Sequence, residues 1–220
     1  MPVTRPRDET LGMSSSESPI QYVLFDMDGV LCDLDDARRI AFLAELTRKD
    51  PDYLSYQIWG SGFENDSDEG KFSAEEYLNE FGNRIGKAID ASTWISYRRS
   101  GMTPNVSVLR IAEALSETVQ LAILTNNGFM LKQSIDSLFP ELLPIFGKNF
   151  FVSAEFGCRK PDPKVYSDLC CQLGWNPDKV LFIDDREENT IGAQSAGLRS
   201  LTFAGAEHFA DTLNVFRLRV

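Results

Sequence analysis

Between Tyr22 and Phe203 the chain alternates short apolar runs with longer stretches in which apolar residues recur every three or four positions. The runs are Tyr22-Val23-Leu24-Phe25, Val119–Leu124, Phe150-Phe151-Val152, Val180-Leu181-Phe182-Ile183 and a segment over Ser200–Phe203. Runs of this length, rich in β-prone residues and bounded by Gly or charge, predict buried strands. Between them Val108, Ile111, Ala112 and Leu115 fall on one helical face, as do Leu131, Ile135 and Leu138, and then Val165, Leu169 and Leu173. A further helix passes through Ile191 and Ala196. Thr103-Pro104 reads as a cap followed by proline at the first helical position, and Asp162-Pro163 opens another helix. Strands alternating with helices predict βαβ units, hence an α/β fold with a Rossmann-like parallel sheet sandwiched by helices.

Residues 35–102 break that rhythm. They hold helical patterns and no strand: Ile40, Leu43, Ala44 and Thr47 form one stripe, and Ser73-x-x-Glu76 is a capping-box pattern ahead of Tyr77, Phe81 and Ile85. Gly60–Gly70 is polar and reads as a loop. The aromatic residues here, Tyr53, Tyr56, Trp59, Phe63, Trp94 and Tyr97, are expected to form the core of a small helical unit. The predicted organisation is a tail over residues 1–19, a catalytic core from 20–34 and 103–220, and an inserted helical unit over 35–102. Residues 1–19 are polar, lack the apolar segment of a secretory signal, and read as disordered.

Composition narrows the partners. A formal charge of −11 over 220 residues argues against a nucleic-acid backbone as ligand. No apolar run approaches the roughly 18–20 residues that a membrane span needs. Cys32, Cys158, Cys170 and Cys171 make no Cys-x-x-Cys pair, and the single His (His208) lies far from every motif, so a zinc site is not expected. Free thiols in a reducing cytoplasm are the expected state.

The chemistry sits where strands end. The first run stops at Asp26 and Asp28, one residue apart, followed by Gly29. The others end at Thr125-Asn126, near Lys160 and at Asp184-Asp185. In a parallel sheet these loops emerge on one edge, where open α/β folds keep their ligand crevice. Close carboxylates repel, so a site holding several needs a cation or a shared proton, and oxygen ligands of this kind suit Mg²⁺. Taken singly, Asp26-x-Asp28 suits a solvated acidic loop, Thr125-Asn126 a strand-end turn, Lys160 a solvated lysine and Asp184-Asp185 a helix N-cap. Their joint occurrence at successive strand ends distinguishes a site that fits a phosphate dianion beside a metal.

Four stretches, in order, resemble the motifs of the haloacid dehalogenase (HAD) superfamily: Phe25-Asp26-Met27-Asp28-Gly29-Val30, Leu124-Thr125-Asn126, Gly157–Pro163 around Lys160, and Phe182–Asn189 around Asp184-Asp185. The likeness covers about residues 21–205, and residues 35–102 sit where that family places an α-helical cap. The Asp-Asp form of the last motif is similar to the branch with sugar-phosphate phosphatases, phosphoglucomutases and the epoxide hydrolase phosphatase domain. The resemblance implies an Mg²⁺-dependent phosphatase acting on a small phosphate monoester. Asp26 would be the nucleophile and Asp28 the general acid and base. The Asp26 side chain, the Asp28 carbonyl and Asp185 would be the metal ligands. Thr125, Asn126 and Lys160 would hold the phosphate, and Asp184 and Asn189 would position Lys160 or metal-bound water. Cap candidates for substrate contact are Arg38, Arg39, Trp59 and Phe63. The expected partner is a small phosphorylated metabolite, and the expected state a monomer or homodimer. A phosphomutase that keeps the phosphoenzyme remains an alternative, as does a non-catalytic binding module. A dehalogenase is disfavoured, because such members lack the second acid that Asp28 supplies.

Overall fold

A computed structural model describes residues 19–219. Apart from Pro19, the predicted tail lies outside the described residues. The chain enters through β1 (Tyr22–Phe25) and β2 (Cys32–Leu34), and a run of helices follows: α1 (Asp36–Thr47), α2 (Pro51–Ser55), a π-helical turn over Tyr56–Gly60, α3 (Phe63–Asp68), α4 (Ala74–Ile85) and α5 (Ala91–Ser100). It returns through β3 (Met102–Pro104) and continues as α6 (Val106–Ser116), β4 (Gln120–Thr125), α7 (Phe129–Leu138), α8 (Leu143–Phe146), β5 (Phe150–Val152), α9 (Pro163–Leu173), β6 (Val180–Asp184), α10 (Glu187–Ser195), β7 (Arg199–Thr202) and α11 (Phe209–Val215).

Five strands form one parallel sheet in the order β5-β4-β1-β6-β7. β1 is central because it has no polar face: Val23, Leu24 and Phe25 are all fully buried. Alternate side chains point to opposite faces of a strand. Val23, Phe25, Ile123 and Ile183 therefore join one core with α6, α7 and Phe209 of α11. Leu24, Leu124 and Phe182 join a second with α9 and Ala193 of α10. The result is a helix–sheet–helix sandwich, as the alternation of patterns implied. Register then places the chemistry: Phe25 pairs with Ile123 on one side and Ile183 on the other, so the residues that follow emerge together on one edge.

The inserted helices are tied off at their base by β2 and β3, which pair antiparallel with Cys32 opposite Pro104 and Leu34 opposite Met102. Phe63 stacks on Tyr77, with ring centres 4.9 Å apart, and Phe81, Trp94 and Tyr97 complete their core. Ser73 and Glu76 form the capping box of α4.

Three expectations need correction. Thr103-Pro104 belongs to β3, and α6 begins later, capped by Asn105; proline is tolerated there because the strand lies in a two-stranded ribbon. The polar stretch Gly60–Gly70 contains α3. Phe63 is its one apolar residue and the five that follow, Glu64 to Asp68, are polar, so no apolar periodicity could announce it. Tyr53 and Tyr56 are 43% and 61% exposed and lie outside the aromatic core. An unanticipated final helix, α11, sets Phe209 edge-on to Phe25 and Phe203. The four cysteines are free thiols, and exposed His208 precedes α11. Among the described residues no helix is long and apolar enough to cross a membrane.

Candidate active site

The turn after β1 sorts its side chains by alternation. Met27 is fully buried, and Asp26 and Asp28 on either side of it both face one cavity. The Asp26 amide donates to the Ile183 carbonyl at 2.8 Å, which locks the end of β1 to β6. Gly29 holds φ +86°, and a Cβ there would stand 2.4 Å from Oδ2 of Asp185. Glycine is thus required on two counts, backbone conformation and the close approach of a carboxylate.

Lys160 reaches the cavity from the loop before α9, and its side chain is almost wholly buried. Its Nζ lies 2.8 Å from Asp26 Oδ2 and 2.6 Å from Asp184 Oδ2. Burial alone would lower this amine's pKa, but the two carboxylates reverse that and raise it. Asp184, fully buried at the end of β6, also accepts from Asn189 Nδ2 at 2.9 and 3.0 Å and from the Arg186 amide at 2.9 Å. Burial works to raise Asp184, but Lys160, followed by the hydrogen bond with Asp26 and that from the Arg186 amide, outweighs it and keeps the carboxyl below the ordinary range. Asp26 goes the other way: burial, with the charge of Asp184, outweighs Lys160 and pushes it well up. Asp185 is also raised, by burial and then by the charge of Asp184.

Oxygens of Asp26, Asp184 and Asp185 lie within 4.8 Å of one another. Asp184 is already satisfied by Lys160, Asn189 and Arg186. Asp26 must share the single Lys160 ammonium with Asp184, among the described residues no ion pair reaches Asp185, and the Asp28 carbonyl accepts none of this loop's backbone hydrogen bonds. This donor set, hard oxygens around a glycine-lined cradle, fits a divalent cation such as Mg²⁺.

At the end of β4 the structure redistributes the predicted roles. Thr125 is buried and faces the cavity. Asn126 does not present its amide as a free phosphate donor: Nδ2 donates to the Lys160 carbonyl and Oδ1 accepts from the Lys160 amide, both at 2.9 Å. It clamps the lysine loop. The neighbouring Asn127, which sequence reasoning passed over, donates to Thr125 Oγ1 at 2.8 Å and to Asp28 Oδ2 at 3.1 Å. Its place in Thr125-Asn126-Asn127-Gly128 was the signal available.

The insert supplies Arg98, also missed. Arg98 Nη2 lies 2.5 Å from Asp28 Oδ2 and donates to Asn127 Oδ1 at 3.3 Å. Burial works to raise Asp28, but Arg98, Asn127 and Arg39 outweigh it and hold the carboxyl below its ordinary value. No spacing in the sequence links Arg98 to Asp28, seventy positions away.

Of the predicted insert contacts, Arg39 and Trp59 line the cavity, with the Arg39 guanidinium 5.1 Å above the Trp59 ring. Arg39 is held by Asp36 and the Tyr97 hydroxyl, each at 2.9 Å. Arg38 and Phe63 are not cavity residues: Arg38 is exposed and pairs with Asp35 at 3.4 Å, and Phe63 is buried in the aromatic core. Neighbouring residues on a helix stand about 100° apart, and α1 turns Arg39 inward and Arg38 to solvent. Glu64, Asn65 and Asp68 of α3 complete the cavity, which has a volume of about 460 Å³.

The comparisons with known proteins agree with this geometry. The haloacid dehalogenase-like hydrolase family model matches residues 20–197. A D-ribitol-5-phosphate phosphatase of Bacteroides thetaiotaomicron is 22% identical over 77% of this chain and 85% of its own length. Acyl-CoA dehydrogenase family member 10 of mouse is 30% identical over 60% of this chain, which spans 13% of that larger protein. A HAD family enzyme of B. thetaiotaomicron, solved with magnesium and inorganic phosphate, superposes with a TM-score of 0.74 at 22% identity, over 88% of this chain and 98% of that one. With the four strand-end motifs gathered on one sheet edge, the chain belongs to the haloacid dehalogenase-like hydrolases.

Proposed function

We propose that this chain is an Mg²⁺-dependent phosphatase that hydrolyses a small phosphate monoester through an aspartyl-phosphate on Asp26. One observation carries the reading: two acids flank buried Met27, one against Lys160 at 2.8 Å and the other against Arg98 at 2.5 Å, and both open on the same cavity. A nucleophile needs a neighbouring cation, and a proton carrier needs its own separate environment. The phosphatase activity of the Bacteroides relative, which by its name acts on a polyol phosphate, supports the same substrate scale.

Asp26, Asp185 and the Asp28 carbonyl would hold Mg²⁺. When bound, the ion offsets the charge of the phosphoryl group and polarises it for attack. Asp26 attacks phosphorus, the new Asp26 O–P bond forms and the bond to the leaving oxygen breaks. Lys160 and the Thr125 hydroxyl orient the phosphoryl oxygens and balance their charge. The Asp28 carboxylate, ionised beside Arg98 in the free chain, would take the proton of a phosphate monoanion as it binds, give it to the departing alkoxide, and then take one from the water that attacks phosphorus and frees Asp26. Asn126 keeps Lys160 in register, and Asn189 keeps Asp184 facing it.

The test is phosphate release from p-nitrophenyl phosphate and from sugar phosphates with and without Mg²⁺, with mass spectrometry after rapid quench to find phosphate on Asp26. Mg²⁺-dependent release and a labelled Asp26 are expected. Full turnover in excess EDTA, or no release from any monoester, overturns the reading.

A further inference from the structure

Asn127 is 8% exposed, and both polar atoms of its side chain are committed. Nδ2 donates to Thr125 Oγ1 at 2.8 Å and to Asp28 Oδ2 at 3.1 Å, while Oδ1 accepts from Arg98 Nη2 at 3.3 Å. Charge forces this orientation. Turning the amide over would set its oxygen against the Asp28 carboxylate and its NH₂ group against the guanidinium. The backbone is held as well, since the Asn127 amide donates to the buried Ser153 Oγ at 3.2 Å. An amide offers two N–H groups on one atom and an acceptor beside them, the set that these three partners need.

We infer that Asn127 is a positioning residue for two proton-handling groups at once: it turns the Thr125 hydroxyl proton toward the phosphoryl group and anchors Asp28 for proton transfer to the leaving oxygen. It touches no reacting atom and acts through these two residues. The inference rests on the phosphatase reading above, and adds to it a link between the phosphate holder and the proton carrier.

Both halves follow from counting donors and acceptors. A hydroxyl has one proton to give. Asn127 fills a lone pair of Thr125 Oγ1, so the hydroxyl cannot donate in that direction, and among the described residues its proton meets no acceptor. Thr125 is buried and faces the cavity, where a phosphoryl oxygen would take that proton. Asp28 Oδ2 accepts from both Asn127 and Arg98, neither of which can accept in return. Oδ1 meets only the Cys32 thiol, at 3.6 Å, a weak donor. Oδ2 therefore holds the carboxyl in place and Oδ1 is left to pass the proton. It gives that proton to the leaving oxygen as the P–O bond breaks, and takes one back from the attacking water.

The experiment places Asn127→Ala in the wild type, in Asp28→Asn and in Thr125→Val, and takes two readouts. The first is kcat and KM with Mg²⁺ for p-nitrophenyl phosphate and phenyl phosphate, aryl esters that differ in how much the leaving oxygen needs a proton. Asn127→Ala should lower kcat for phenyl phosphate at least about tenfold more than for p-nitrophenyl phosphate, a part of the factor that general acids supply. Added to Asp28→Asn, it should widen that gap no further. The second is thermal shift by inorganic phosphate with Mg²⁺, which needs no turnover. The phosphate concentration for half the shift should rise about fivefold or more in Asn127→Ala, the scale of one hydrogen bond, and should not rise again when the change is added to Thr125→Val. Should Asn127→Ala not fold, Asn127→Asp, with the same outline and acceptors in place of the N–H groups, carries the same expectations. Equal slowing of both esters with unchanged phosphate affinity, the mark of a merely structural amide, overturns the inference, as do losses that add in full in both double variants. Turnover of neither ester by the wild type would instead fail the phosphatase reading, while the phosphate titration still decides the Thr125 contact.

Discussion

Asp26 and Asp28 differ in environment more than in position. Asp26 is pushed up by burial, with Lys160 opposing and Asp184 adding to the rise, and Asp28 is held down against its own burial by Arg98. Asp26→Asn removes the nucleophile, so turnover of p-nitrophenyl phosphate should fall at least about a thousandfold; retention of a tenth of the wild-type rate would exclude nucleophilic attack by this residue. Asp28→Asn should separate substrates by leaving group. An alkoxide needs a proton as it departs and a nitrophenolate does not, so sugar phosphates should slow far more than the aryl ester, and equal slowing of both would deny Asp28 the acid role. Asp68 yields a pH prediction. Its pKa is raised in the folded chain, by burial and then by Glu64, with Arg159 and Arg98 opposing and Asp28 adding to the rise. A raised folded pKa contributes stability that is full below the unfolded value, about 3.9, and is lost as pH rises through the folded one. Asp68→Asn should therefore melt at the wild-type temperature or lower near pH 4 and above it at neutral pH. A Tm difference that shrinks with rising pH would contradict this.

At the scale of elements, the site is a property of strand ends. Asp26 and Asp184 are neighbours because β1 and β6 are in register, and Asp185 fits because the turn after β1 has no side chain at Gly29. Gly29→Ala forces a left-handed backbone on a residue with a Cβ, costing about 1–2 kcal/mol, and drives Asp185 from its place. The Mg²⁺ concentration for half-maximal activity should rise by about tenfold or more, with the fold intact by circular dichroism; an unchanged metal requirement would remove Asp185 from the ligand set. α3 makes the complementary point. It sets Phe63 into the aromatic core while Glu64, Asn65 and Asp68 border the cavity, and α7 approaches it so closely at Gly128 that a Cβ there would stand 2.0 Å from Ser67 Oγ.

The whole molecule carries a charge of −11, and the cavity itself gathers Asp26, Asp28 and Asp185 at its floor. A phosphate dianion meets repulsion from both unless a cation precedes it. Inorganic phosphate alone should leave Tm unchanged, while phosphate with Mg²⁺ at about a hundred times the dissociation constant should stabilise by about 2.7 kcal/mol, a rise of about 5–10 °C for a chain this size. A full shift with phosphate and EDTA would show that the protein's own cations suffice. The Arg98–Asp28 pair and the Ser153–Asp68 contact tie the insert to the core beside this floor.

The sheet and the edge that gathers its acids were legible in the sequence because their signals are local. A buried strand needs an unbroken apolar run, and a parallel sheet sends the residues after each run to one edge; Asp26, Asp28, Thr125, Lys160, Asp184 and Asp185 follow from those two rules. The insert was legible as helical, and its capping box at Ser73 and Glu76 was found where the pattern placed it. Tertiary structure decided the rest. Arg98 meets Asp28, Asn126 closes on the Lys160 backbone, and Arg39 faces inward while Arg38 faces out, through contacts that no periodicity encodes. The α3 helix escaped notice because Phe63 is its one apolar residue and Glu64 to Asp68 are all polar, so it carries none of the apolar rhythm by which helices packed on a core reveal themselves.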